Sequence, residues 1–257
     1  DGFETALDSI AGEIRVAELS EMADGSVVAF VLWVDRRTGK VLYDGQTDSV
    51  LPTKLAMTRS SDGGKTWGIY QKLDTKNFLG PAISGPTLHL PEQGWLVPFE
   101  NFQPGSGIHT ANALFSSNGE TFDRLLTVAH DSQNKVYFFD ARHAQSPKTG
   151  RLVAMFWTYN RQTEKDEDIH IAWGDPAILK WERPFSTGIR GQVCQPLPLI
   201  DGRLAAFYVH RHPPGSLRLI LSEDNGKTWD RQNELVVYKC DSTKQKGLDG
   251  KSNYAQY

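Results

Sequence analysis

The feature that most restricts what this chain can become is an internal repeat. Four times, a turn closed by Gly opens into a short apolar strand. Ala23-Asp24-Gly25 leads into Val27-Val28-Ala29-Phe30, and Glu92-Gln93-Gly94 into Trp95-Leu96-Val97-Pro98-Phe99. Lys148-Thr149-Gly150 leads into Leu152-Val153-Ala154-Met155-Phe156, and Ile200-Asp201-Gly202 into Leu204-Ala205-Ala206-Phe207-Tyr208. Gly between apolar runs is a hairpin signal, because it takes positive φ without a Cβ clash. Each hairpin is followed by a second alternating strand, within Leu55 to Arg59, Ala111 to Phe115, Ile169 to Trp173 and Leu217 to Leu221. Two of these end in one motif, S-x-D-x-G-x-T-W. Its residues are Ser60, Asp62, Gly64, Thr66 and Trp67 in the first unit and Ser222, Asp224, Gly226, Thr228 and Trp229 in the last. The second unit has a copy one residue shorter, from Ser116 through Asn118 and Gly119 to Phe122, and the third keeps Asp175 and Trp181. The Asp carboxylate can accept backbone N–H groups inside the turn, Gly supplies the unusual backbone angle, and the aromatic is expected to plug an interface.

A chain of 257 residues with 23 Gly, 13 Pro and 39% apolar residues suits an all-β fold of many short strands with a packed core. A net charge of -3 provides no field for nucleic acid or anionic lipid, so no nucleic-acid partner is expected. No apolar run reaches the ~18 residues of a membrane span. The N-terminus lacks a basic segment followed by an apolar one, so the reading is a soluble chain from which any export signal has already been removed. Cys194 and Cys240 are too few for a disulfide framework; they could pair under oxidising conditions, but a buried thiol is the commoner state. The histidines lack acidic or Cys companions at ligand spacing, and neither a metal nor another cofactor is expected.

The repeated turn resembles the Asp-box of the sialidase superfamily, over about Glu13 to Val237. The resemblance implies a β-propeller of four-stranded antiparallel blades. Four blades are visible, near residues 12–78, 79–132, 133–188 and 189–238, where sialidases have six. Residues 239–257 read as a polar tail or the start of another blade. The expected molecule is one propeller domain, incomplete at its C-terminus, whose open blade edges would promote self-association. The resemblance also implies a secreted or periplasmic protein.

Turn topology separates two rims. Gly turns and S-x-D-x-G-x-T-W turns share one; the starts of the inner strands and the loops from strand two to strand three share the other, where function is expected. Ten residues before each turn Gly stand Arg15, Ser84, Asp140 and Gln192, expected to ring the axis. The loops bring Asp35, Asp44 and Asp48 in the first blade and Glu100 and His109 in the second. They bring Tyr159, Arg161, Glu164, Asp166 and Asp168 in the third, and Tyr208, His210, Arg211 and His212 in the fourth. Arg15, in Glu13-Ile14-Arg15-Val16, resembles the first of three arginines that clamp the sialic acid carboxylate, and a guanidinium fork suits that role. Arg211 is the candidate for the second, with Arg218 the alternative. The resemblance makes Asp48 the acid/base residue, with Asp44 and Asp35 as alternatives. Sialidases place a Glu near the mouth of the fourth blade, where this chain has Gln192-Val193-Cys194-Gln195. An amide can orient a phenol but cannot take its proton.

The leading expectation is a carbohydrate-active enzyme resembling an exo-sialidase. It would hydrolyse the glycosidic bond of an acidic sugar held by Arg15, Arg211, Gln192, Tyr208 and His210, with Asp48 catalytic. The cluster of Tyr208, His210, Arg211 and His212 also suits a propeller-type polysaccharide lyase acting on uronate glycans, where Arg neutralises the carboxylate and His or Tyr moves the proton. A non-catalytic propeller that binds glycan or protein is the third reading.

Overall fold

The computed structural model describes residues 12–37, 43–44, 49–76, 78, 80–103, 108–211 and 215–239. All regular structure in them is β. The first sheet runs in the order β1 (Gly12–Glu21), β2 (Val27–Asp35), β5 (Thr53–Ser60), β6 (Gln71–Lys72), with a short pair β3 (Tyr43–Asp44) and β4 (Ser49–Val50) between β2 and β5. In the second, β7 (Pro81–Ile83) and β8 (Leu88–Leu90) both pair with β9 (Gly94–Gln103), followed by β10 (Ile108–Ser116) and β11 (Arg124–His130). The third holds β12 (Val136–Gln145), β13 (Leu152–Asn160), β15 (His170–Asp175) and β16 (Lys180–Trp181), with β14 (Lys165–Asp166) beside β13 and β17 (Phe185–Ser186) beside β15. The fourth is β18 (Cys194–Pro198), β19 (Leu204–His210), β20 (Ser216–Ser222), β21 (Leu235–Lys239). Every pairing is antiparallel, and each four-stranded path is made from one continuous stretch of chain, the blade pattern expected from the repeat.

The core lies between blades. Phe30, Leu32, Leu55 and Met57 of the first sheet meet Val97, Phe99 and Leu114 of the second. Leu96, Ala111 and Ala113 meet Phe138, Leu152 and Phe156 of the third. Val153, Met155 and Ile171 meet Leu204, Tyr208 and Ile220 of the fourth. Strand alternation explains the apolar run in β13: Leu152, Ala154 and Phe156 point one way, Val153 and Met155 the other, and all five are fully buried. Cys194 is one of these interface residues, a buried free thiol; Cys240 lies outside the described residues.

The turns keep the predicted chemistry. Gly94 has φ 142°, and a Cβ there would sit 2.0 Å from the Ser116 carbonyl oxygen, so only Gly fits the approach. In the first motif turn the Ser60 hydroxyl donates to Asp62 at 2.8 Å and accepts from the Gly64 N–H at 2.9 Å. Asp62 also accepts the Thr66 N–H at 2.9 Å and the Thr66 hydroxyl at 2.6 Å. Hydrogen bonds from Thr66 and Ser60 hold the Asp62 carboxyl down at about 2. Ser222, Asp224, Gly226 and Thr228 repeat this wiring, and Ser116 with Asn118 reproduces most of it.

The aromatics of these turns correct one expectation. Phe122 is buried between sheets one and two, Trp181 between two and three, and Trp229 packs between three and four. Each plugs the interface with the preceding sheet. Trp67, in the first sheet, has no preceding sheet among the described residues and stays 39% exposed, its Nε1 donating to the Gly64 carbonyl. The substitution Phe122→Ala should therefore cost roughly 3–5 kcal/mol in denaturant unfolding. Trp67→Ala should cost about 1 kcal/mol or less, since most of the burial energy is missing there. Equal losses would show that the plug model is wrong.

Candidate functional site

The rim opposite the motif turns is built where the inner strands lose regular pairing. The β1–β2 register shifts between Ile14 and Val16, which makes Arg15 the bulge residue. The β12–β13 register shifts between Phe139 and Arg142, and Asp140 inside that bulge has φ 49°, a left-handed conformation unusual for Asp. Ser84 falls in the gap between β7 and β8, and Gln192 just before β18. The four positions found by counting back from the turn Gly thus all sit at interruptions of an innermost strand. Such interruptions re-aim side chains.

Because β12 is innermost, one of its edges carries N–H groups without a strand partner, and side chains of the second sheet reach them. Glu100 on β9 accepts the Asp140 N–H through Oε2 at 2.8 Å. His109 on β10 accepts the Phe138 N–H through Nδ1 at 3.4 Å, which leaves its proton on Nε2, 3.9 Å from Glu100 Oε2. Burial holds His109 neutral, its pKa pushed down to about 3. The Glu100 carboxyl is pushed up to about 8, by burial first and by the neighbouring Asp140 charge second. Asp140 is also raised by burial, an effect opposed by the Arg142 and Arg211 guanidinium groups. Two carboxyls so placed cannot both ionise cheaply, so the pair holds a proton more tightly than a free carboxylate does. Its side chain still exposes 16% of its surface. Arg142 donates to the Ser84 carbonyl.

An aromatic wall adjoins this pair. Cross-strand register sets Tyr137 opposite Tyr159 and Phe139 opposite Trp157. Phe139 and Trp157 have ring centroids 5.1 Å apart, and Phe139 lies 4.5 Å from His109. The Arg211 guanidinium sits 5.7 Å from the Trp157 ring, a cation–π distance. Asp166 accepts both Trp157 Nε1, at 2.8 Å, and Gln192 Nε2, at 2.7 Å. That second bond fixes the amide and leaves Gln192 Oε1 a buried acceptor without a partner among the described residues.

The structure thus gathers Asp140, Arg211 and Gln192 with Glu100 and Asp166, all five among the rim residues named from the sequence. Tyr208 lies in the third interface instead, 2% exposed, its hydroxyl donating to Glu234, which also pairs with Arg218 at 2.9 Å. His210 ends β19, half-buried and opposite Ser216. Asp35 is tied to Arg37, whose bonds hold its carboxyl at about 2, so it is a fixed anion rather than a proton donor. Asp48 and His212, and the side chains of Arg15 and Asp44, lie outside the described residues. Counting back from the turn Gly places Asp140 on this rim and the loop from strand two to strand three places Glu100 there; their meeting across two blades has no local sequence signal.

No family model matches the chain, and no curated protein sequence matches it. Solved structures do. A Dyadobacter fermentans protein of unknown function superposes with a TM-score of 0.70 at 21% identity, over 90% of this chain and 66% of that one. The Hadza microbial sialidase Hz136 superposes at 0.65 and 13% identity, over 92% of this chain and 48% of that one. An α-L-arabinofuranosidase from Fusarium graminearum superposes at 0.52 and 15% identity, over 83% of this chain and 64% of that one. The chain therefore spans about half to two thirds of the length of the proteins it matches. At these identities the likeness speaks for architecture, and it agrees with the sheet order: the chain has the β-propeller fold of the sialidases and arabinofuranosidases.

Proposed function

We propose that this propeller carries the site of a carbohydrate-active enzyme that hydrolyses the glycosidic bond of an acidic sugar. The observation that supports it is the Glu100–Asp140 carboxyl pair, both members raised by burial, set beside Arg211 and an aromatic wall. Sugars stack on aromatic faces, and a guanidinium fork binds a sugar carboxylate. In this reading Glu100, whose Oε2 is occupied by the Asp140 N–H, gives the proton on Oε1 to the glycosidic oxygen as the C–O bond breaks. Water adds to the anomeric carbon and passes its proton to the Asp140 carboxylate. Exchange with solvent then returns a proton to Glu100. Arg211 and, by the family resemblance, Arg15 hold the substrate carboxylate, and Gln192 Oε1 accepts a substrate hydroxyl. Asp48 remains the acid that the resemblance alone proposes.

Aryl glycosides of sialic, glucuronic and galacturonic acid, with an arabinofuranoside as neutral control, test the proposal. At least one acidic glycoside should be cleaved; cleavage of none would sink the reading. With that substrate, Glu100→Gln should lower kcat by roughly 10²–10⁴-fold with KM nearly unchanged. Full activity in Glu100→Gln with loss in Asp48→Asn would transfer the acid role to Asp48.

The pH dependence has a definite sign. A general acid works protonated, so the rate should hold below and fall as pH rises through about 8, the value set for Glu100 in the free protein. An alkaline limb near the ordinary carboxylate range would exclude Glu100. Arg211→Ala and Arg15→Ala should each raise KM for the acidic glycoside by tenfold or more. A matching rise for a neutral glycoside would show that they do not read the carboxylate.

A further inference from the structure

On the same rim, beside the aromatic wall, the connection from β11 to β12 and the loops around β14 and β17 enclose a cleft of about 570 Å3. His130, Lys135, His170 and Arg183 line it, with Phe138 and Pro184 as its apolar surface. The one acid in the lining, Asp131, is turned into its own turn. Its carboxylate accepts the N–H groups of Gln133 at 3.1 Å, Lys135 at 2.8 Å and Val136 at 3.0 Å. The acids nearby are also engaged: Glu167 accepts from Asn160 at 2.7 Å and Asp168 from Ser186 at 3.3 Å. Lys135 and Arg183 are both exposed, and neither enters an ion pair among the described residues. Gln133 and Gln162 add amide groups to the lining.

Two cationic side chains, Lys135 and Arg183, against the one lining carboxylate of Asp131, together with amides and an aromatic edge in one concave surface, match an anionic saccharide unit better than a neutral one. The position extends the argument. Val136 and Phe138 lie four and two residues before Asp140 on β12, roughly 13 and 7 Å away at about 3.3 Å per residue. The Phe138 N–H is itself held by His109, beside Glu100. One strand therefore joins the cleft to the carboxyl pair.

We infer that this cleft is a second saccharide subsite, which takes an anionic unit of a glycan whose neighbouring unit lies at Glu100 and Asp140. The inference rests on the carbohydrate reading above and makes the substrate a charged oligosaccharide rather than a single terminal sugar. A carboxylate and a sulfate offer the cleft the same chemistry, so the test includes both.

The Glu100→Gln protein, in which turnover is suppressed, is titrated calorimetrically at low salt with tetrameric oligogalacturonate, oligomannuronate, a heparin-derived oligosaccharide and a neutral galacto-oligosaccharide of the same length. At least one acidic oligomer should bind at least tenfold more tightly than the neutral one, and weaken as salt rises. Whether the uronates or the sulfated oligomer bind identifies the anionic group. Adding Lys135→Ala and Arg183→Ala, both exposed and outside the packed interfaces, should weaken that binding tenfold or more. In the chain with native Glu100, the same pair of substitutions should leave cleavage of a monomeric aryl glycoside within twofold. Equal binding of the neutral oligomer, unchanged binding in the double variant, or no binding of any acidic oligomer would overturn the subsite. A protein that cleaves no glycoside yet shows this binding pattern would strike the hydrolase reading and leave the subsite standing.

Discussion

Face-to-face burial between consecutive blades is the interaction on which the rest of this structure depends. A four-stranded sheet of this size cannot hold itself together; it needs its apolar face covered, and here each sheet is covered by its neighbours in the chain. The middle sheets are buried on both faces, which is why β13 is apolar at every position from Leu152 to Phe156. Phe122, Trp181 and Trp229 close the same interfaces from the rim of the motif turns. In the Phe122 and Trp229 turns an Asn or Asp accepts backbone N–H groups from within the turn, which fixes the turn and aims the aromatic side chain at the sheet before it.

Stacking of this kind leaves a cost at the axis, since the innermost strand of each blade has an edge without a strand partner. In β12 that edge is met by side chains from the neighbouring blade, Glu100 at the Asp140 N–H and His109 at the Phe138 N–H. Backbone satisfaction thereby brings a carboxyl and an imidazole out of water and against a second carboxyl. The raised Glu100 and Asp140 and the depressed His109 share one physical origin. Burial disfavours charge of either sign, and the nearby guanidinium groups only partly compensate for the acids. A structural requirement of the fold and an electrostatic environment suited to proton transfer thus coincide in the same residues. Asp140 adds a left-handed backbone at φ 49° inside the β12 bulge.

Charge elsewhere on the rim is arranged by a different rule. Asp131, Asp35 and Asp166 are acids whose oxygens are already taken by backbone N–H groups, by Arg37, and by Trp157 with Gln192. These bonds aim the carboxylates inward without removing their charge. In the cleft itself Lys135 and Arg183 outnumber the one lining carboxylate, Asp131, so an acidic protein still presents a locally basic surface.

Much of this was written locally in the sequence. Apolar alternation, Gly at turns and the paired S-x-D-x-G-x-T-W motifs determine the strands, their order and which rim lies opposite the motif turns, because turn geometry and strand period are properties of a few adjacent residues. Counting back from the turn Gly reached Arg15, Ser84, Asp140 and Gln192 for the same reason. What tertiary structure alone decided is which of these residues meet. Glu100 finds Asp140, and Gln192 finds Asp166, across separations of 40 and 26 residues set by blade packing. Tyr208 shows the converse: its place in the sequence suggests the rim, but strand alternation turns its ring into the third interface, where Glu234 takes its hydroxyl. Pairing across blades depends on the angle and spacing of whole sheets, and no window of neighbouring residues encodes that.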